Sequence, residues 1–257
     1  MAPVIDIIRH AEARNNVEGS HIRDPDLTPH GFDQCDSLRK SYPSRDKVSC
    51  IVASPMKRTI QTALFGFPDL IEHGKKIIAI PELQENSARP SDTGSPLPEL
   101  KEEYDPYVDW VCVSETWFLK GPDTRFAPVK EKVEERARIA RLGLRELARR
   151  VGPDGHIVVV THGAFGHFLT QDFLGLRPGK GSGVFRHARV KSYEFADLDG
   201  QDDQATLVLS EEERRKTPGP HWVDLDEPEK SKFKGYALER LQRHASEAKW
   251  FQDIHGC

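Results

Sequence analysis

Two histidines stand in similar settings within this sequence of 257 residues. Arg9-His10-Ala11-Glu12 follows one short apolar run, and Thr161-His162-Gly163-Ala164 follows another. Ser54-Pro55-Met56-Lys57-Arg58 and Pro81-Glu82-Leu83-Gln84-Glu85 trail two further runs of the same kind. If the runs are strands of one open α/β sheet, their carboxyl ends share a rim, where ligands gather and helix N-termini aim backbone N–H groups at anions. Arg9 and Arg58 would offer planar, charge-assisted donors to a dianionic phosphoryl group, which a lysine serves only as a point charge. A neutral imidazole is a competent nucleophile at phosphorus, and a second histidine can stabilise charge on the equatorial oxygens. The leaving alkoxide then needs a proton, and Glu85 is the candidate acid and base, on condition that it holds a proton amid those cations.

The elements that must position these groups are legible. Pro3–Ile8, Cys50–Ala53, Ile77–Ile80 and His156–Thr161 are short and apolar on both parities, as in strands buried on both faces of a parallel sheet. Helical patterns lie between them. Thr28 with Pro29 opens a helix to Lys40, Ser54-Pro55 repeats that start signal before a run to about Phe65, and Val129–Val151 ends at Gly152-Pro153. This alternation predicts an α/β fold, a three-layer, doubly wound, mostly parallel sheet with helices on both faces. Arg189–Ala196 and Ala205–Ser210 read as shorter strands closing one edge antiparallel. Glu85–Pro106, with its prolines, reads as an ordered loop or lid with one short helix. From about Glu211 charge and proline dominate, followed by a helix-like stretch from Tyr236 to Phe251. The expected organisation is therefore a catalytic domain over 1–210 and a tail over 211–257 packed on it.

Composition narrows the function. With 37 Lys+Arg against 41 Asp+Glu the net charge is −4, which argues against a nucleic-acid or membrane-surface partner. No apolar stretch approaches the roughly 18 residues of a membrane span. Cys35, Cys50, Cys112 and Cys257 form no C-x-x-C pair and read as free thiols, so a cytoplasmic location is expected.

The motifs jointly resemble the histidine phosphatase superfamily, also called phosphoglycerate mutase-like, in its intracellular branch. The resemblance runs from about residue 3 to 175. It rests on Arg9-His10-Ala11-Glu12 with Asn16 seven positions after Arg9, Asp26-Leu27-Thr28-Pro29-His30-Gly31, Ser54-Pro55-x-x-Arg58-x-x-x-Thr62-Ala63, Leu83-Gln84-Glu85, and Thr161-His162-Gly163. It implies a phosphoglycerate mutase-like fold. His10 would be the nucleophile that becomes phosphohistidine. Arg9, Arg58 and His162 would complete the phosphate pocket, Asn16 would add a hydrogen bond to phosphate, and Glu85 would be the proton donor that later activates water. The resemblance implies that no metal is needed, and no cofactor is expected for this chain. Ala11 replaces the usual glycine, but a small residue still lets a backbone N–H approach phosphate. The stretch Asn86–Ser95 lacks the His-Tyr-Gly that follows the acid in cofactor-dependent mutases, and Gly163 stands where the secreted acid phosphatases have aspartate.

Simpler readings fail or remain structural. His162 and His167 are five apart, which misses the spacing of a helical zinc pair. Gly175–Ser182 has the wrong spacing for a P-loop and reads as a turn before an edge strand. There is no G-x-S-x-G. The charged helix from Lys130 to Arg150 reads as a solvated face, and Trp222 and Trp250 as pins for the tail. The expected activity is metal-independent hydrolysis of a small phosphorylated metabolite, with inorganic phosphate as product. A mutase-type phosphotransferase and a non-catalytic phosphate-binding regulator are the rivals. The loop Glu85–Trp117 and the tail are where specificity should reside.

Overall fold

The computed structural model describes residues 2–177, 185–217 and 219–255, with side chains to residue 243. Its seven strands are β1 (Val4–Arg9), β2 (Val48–Ala53), β3 (Ile77–Ala79), β4 (Val108–Asp109), β5 (His156–Thr161), β6 (Val190–Phe195) and β7 (Leu207–Leu209). They form one sheet in the order β4-β3-β2-β5-β1-β6-β7. The first five in that order run parallel, and β6 and β7 close the edge antiparallel, as the sequence predicts.

Period-2 alternation sorts the central strands into two cores. Ile8, Val158 and Val160 face one side, together with Cys35, Leu38, Ile60 and Leu100. Ile5, Ile7, Ile157 and Val159 face the other, together with Val133, Leu144, Phe165 and Leu241. The first face is covered by α2 (Pro29–Ser41), α3 (Lys57–Gly66) and α5 (Leu97–Tyr104), which follow the short α1 (Arg14–Val17) and flank α4 (Pro68–Glu72). The second is covered by α6 (Lys130–Val151), α7 (Gly163–Thr170) and α9 (Glu227–His255), with α8 (Glu211–Lys216) leading into the last. These are the three layers expected.

Register fixes the rim. Arg9 pairs with Thr161 and Ala53 with Val160. The ladder then runs one residue further, with His10 N–H on Thr161 O at 2.9 Å and Ser54 N–H on Val160 O at 3.0 Å. His10, Ser54 and His162 therefore emerge side by side.

Three expectations need correction. Helix α3 begins at Lys57 and not at Ser54-Pro55, because its cap comes from elsewhere: Asp24 Oδ1 accepts the Lys57 N–H at 3.0 Å. Helix α9 begins well before Tyr236. Asp226 Oδ1 accepts the Glu229 N–H at 2.8 Å as its cap, and Phe233, Tyr236, Ala237 and Leu241 join the second core. Helix α6 is solvated only in part. Glu135 with Arg138 and Glu146 with Arg150 are the expected surface pairs, but Arg136, Arg141 and Arg145 are buried. Arg141 ties α6 to neighbouring layers, its Nε donating to Gln204 O at 2.8 Å and its Nη1 to Phe168 O at 3.1 Å. Trp222 packs edge-on against Phe173 at 5.5 Å. The side chain of Trp250, residue Cys257, and residues 178–182 of the expected turn lie outside the described residues.

Arg141→Ala removes charged donors from buried carbonyls and should cost about 2–4 kcal/mol in a urea titration. Arg150→Ala, on the exposed face of the same helix, should change stability by less than about 0.5 kcal/mol.

Candidate active site

His10, at the end of β1, is almost wholly buried. Its Nδ1 lies 2.7 Å from Ala11 O. A carbonyl only accepts, so Nδ1 carries the proton and Nε2 presents a lone pair. Ala11 is held in turn, its N–H donating to Thr62 Oγ1 at 2.9 Å while Thr62 Oγ1 donates to Arg58 O at 2.6 Å. The Arg58-x-x-x-Thr62 spacing thus locks the loop carrying the first histidine to the helix carrying the second arginine.

Two further imidazoles flank His10, with ring centroids 5.3 Å away at His162 and 5.7 Å away at His187. Arg58 Nη2 lies 3.1 Å from His162 Nδ1. A guanidinium only donates, so this Nδ1 accepts, and His162 Nε2–H donates to Ser54 Oγ at 3.0 Å. Arg58 also donates from Nη1 to Ser91 O at 2.6 Å and from Nη2 to Asp92 Oδ1 at 3.0 Å. Arg9 donates from Nη1 to Phe185 O at 3.2 Å. The Nε–H groups of Arg9 and Arg58 are buried and have no acceptor among the described residues, so each keeps a donor for an anion. A side chain at Gly163 would place Cβ 3.1 Å from Arg9 Nε, so Arg9 would have to shift.

Burial, reinforced by the Arg58 charge, pushes His10 and His162 well below the usual imidazole range. Burial and then Arg9 bring His187 down to about 4. Burial lowers even Arg9 to about 10. The site therefore holds cationic guanidiniums beside neutral, nucleophile-competent imidazoles.

Glu85 stands at the N-terminus of α7. Its Oε1 accepts Phe165 N–H at 2.9 Å and its Oε2 accepts Ala164 N–H at 3.3 Å, so it sits two and three residues beyond His162. Two buried cations fix its loop. Lys120 Nζ donates to Glu85 O at 2.7 Å and Ser87 O at 2.8 Å, and Arg136 Nη1 donates to Glu82 O at 2.8 Å. Another acid of that loop, Glu82, is instead paired with Arg125 at 3.1 Å. Asn16 does not enter the buried cluster. It is exposed, and its Oδ1 accepts the Ala13 N–H at 3.0 Å in the turn after β1.

Sequence reasoning brought His10, His162, Arg9, Arg58 and Glu85 to one rim, and the structure places all five there. It missed His187, Lys120 and Arg136. His187 had a readable signal, since it stands just before the edge strand predicted from Arg189; the other two come from segments with no strand end to mark them.

Imidazoles and guanidiniums thus gather at the carboxyl ends of parallel strands in an α/β sheet. The family model of the histidine phosphatase superfamily (branch 1) matches residues 5–211, and the chain belongs to that superfamily. It is 42% identical over 60 residues, 22% of this chain and 21% of the relative, to a Schizosaccharomyces pombe protein named "Probable phosphatase". It is 37% identical over 75 residues, 24% of this chain and 28% of the relative, to an Arabidopsis thaliana phosphoglycerate mutase-like protein. The aligned stretch thus spans only about a fifth to a quarter of these relatives. A second S. pombe "Probable phosphatase" aligns at 27% identity over 62% of this chain and 73% of its own length. Among solved structures, the ecdysone phosphate phosphatase from Bombix mori, in complex with tungstate, superimposes with a TM-score of 0.52 at 16% identity, covering 75% of this chain and 89% of that one. Bacillus stearothermophilus YhfR gives 0.51 at 20% identity, covering 82% and 97%. These two share the fold.

The lowered imidazole values set a pH dependence. A histidine neutral in the fold but protonated when unfolded withdraws stability as pH falls below about 6.5, its ordinary value. Each of the fully buried rings of His10, His162 and His167 should cost about 1.4 kcal/mol per pH unit below that point, and the more exposed His187 less. Urea midpoints should therefore drop between pH 7 and pH 5, and less steeply in His167→Phe.

Proposed function

We propose that the protein is a phosphomonoesterase working through a phosphohistidine at His10. The observation that carries this is the His10 ring itself, with Nδ1–H tied to Ala11 O and Nε2 left as a lone pair between His162 and His187, one residue beyond Arg9. Nε2 attacks phosphorus, forming the P–N bond as the ester P–O bond breaks, and Glu85 protonates the departing alkoxide. The Glu85 carboxylate then takes a proton from water, whose oxygen displaces His10 and releases inorganic phosphate. Arg9 and Arg58 neutralise the phosphoryl oxygens throughout, the neutral His162 donates a hydrogen bond to them, and Asn16 adds another from its amide N–H.

No step calls for a metal or cofactor. The substrate is a small phosphorylated metabolite, because the imidazoles lie buried below the rim. Residues 1–210 form the catalytic domain, and 211–257 are a tail with a helix packed on the same domain. The free thiols of Cys35, Cys50 and Cys112 suit a cytoplasmic setting.

Hydrolysis of p-nitrophenyl phosphate tests this reading. The rate should be unchanged by EDTA, lost in His10→Ala, and reduced about 10²–10⁴-fold in kcat in Glu85→Gln with an alkoxide of high pKa as leaving group. Primer-dependent isomerisation of 3-phosphoglycerate with little free phosphate would make the protein a mutase. Phosphate binding without turnover would make it a regulator.

A further inference from the structure

The two imidazoles that flank His10 are engaged differently. His162 has both ring nitrogens in use, Nδ1 with Arg58 and Nε2 with Ser54. His187 has its ring centroid 5.7 Å from that of His10, and its Nε2 is buried with no partner among the described residues. No side chain fits between two rings at that separation, so the contact with the nucleophile is direct.

The backbone is bent to hold it there. Arg9 pairs with His187 in a parallel bridge at the end of β1, and Ala188 N–H donates to Arg9 O at 2.9 Å. The turn from Arg186 to Arg189 is closed by Arg189 N–H on Arg186 O at 3.3 Å and keeps Ala188 at φ +52°. That is the left-handed region, which glycine enters freely and a residue with a Cβ seldom does. Strain of this kind collects at functional sites, where the surrounding structure over-determines a conformation.

Charge and hydrogen bonding point the same way. Arg58, Arg9 and His187 all act on the buried His10 ring, and each of the three has a buried nitrogen without a partner among the described residues: Nε of Arg58, Nε of Arg9 and Nε2 of His187. Leaving such groups unmet is costly. Guanidinium nitrogens only donate, so one group that meets all three must accept, and it accepts from His187 in the tautomer with the proton on Nε2. A phosphoryl group in transfer presents three equatorial oxygens. We propose that His187 binds the phosphoryl group, its Nε2–H donating to one of those oxygens beside the Nε–H groups of Arg9 and Arg58. This assignment rests on the phosphohistidine reading and adds to it a binding residue that lies outside the motifs.

Titrating inorganic phosphate into protein labelled with ¹⁵N in its histidine rings tests this without altering the site. The His187 signals, assigned by their loss in His187→Phe, should show Nε2 as the protonated nitrogen in the complex, its N–H proton moving downfield as phosphate saturates. An Nε2 that stays unprotonated, or that phosphate does not shift, would overturn the proposal. Among variants, His187→Phe should raise the phosphate Kd about 10–100-fold, as for a lost hydrogen bond to a charged group. His187→Gln, whose amide nitrogen can reach the place of Nε2, should recover most of that loss, and His187→Asn, whose amide matches Nδ1, should not. Thermal melts establish that each variant folds. Unmoved Kd values, or equal losses in all three variants as for a merely structural ring, also overturn it. Turnover of p-nitrophenyl phosphate by the unaltered protein is followed in parallel. Turnover with phosphate Kd values indifferent to His187 defeats this assignment alone, whereas His187-dependent phosphate binding without turnover defeats the esterase reading alone. Failure of the unaltered protein to bind phosphate defeats both.

Discussion

Arg58 is a full positive charge at 1% exposure, set against a histidine and answered by one carboxylate, Asp92. Taking such a charge out of water costs several kcal/mol, even in a relaxed protein, unless its donors are met. Most of the surrounding architecture supplies what it needs. Ser91 O and Asp92 come from a loop that the sheet does not hold, so that loop is fastened by other buried cations, Lys120 on the carbonyls of Glu85 and Ser87 and Arg136 on that of Glu82. Burial brings Lys120 down to about 7 and Arg136 to about 9. The concentration of positive charge around His10 and His162 also keeps those imidazoles neutral, because a charged histidine beside Arg58 would be opposed by both burial and repulsion.

The strands and the residues at their carboxyl ends could be read directly, because a doubly buried strand announces itself by composition and its end is one residue wide. His10, His162, Arg58 and Glu85 all inherit their positions from that rule. What could not be read depends on contacts between distant segments. Asp24 caps α3 from another loop, so the local signal at Ser54-Pro55 misleads, and Ser54 is used by His162 instead. Arg136, Arg141 and Arg145 look like surface charge in a helix rich in Glu and Arg; only the loops passing over them reveal that their donors meet backbone carbonyls. Asn16 satisfied the motif spacing, yet a turn competes for its oxygen.

A net charge of −4 conceals this arrangement, because it averages the cations gathered at the site over the whole chain. The tail belongs to the same pattern. Helix α9 packs Ala237 and Leu241 into the second core and in doing so brings Arg240 within electrostatic reach of Arg9. Residues beyond the motifs thus add to the field of the site the motifs build.

The central claim is that His10 Nε2, freed by the bond from Nδ1 to Ala11 O, takes the phosphoryl group. The direct measurement is rapid quenching of turnover in alkaline denaturant, followed by ³¹P NMR and peptide mapping of the trapped protein. The account predicts a phosphoramidate at His10 joined through Nε2. Phosphorus at Nδ1 of His10, at His162 or at His187, or undiminished turnover with no phosphohistidine formed, would contradict it.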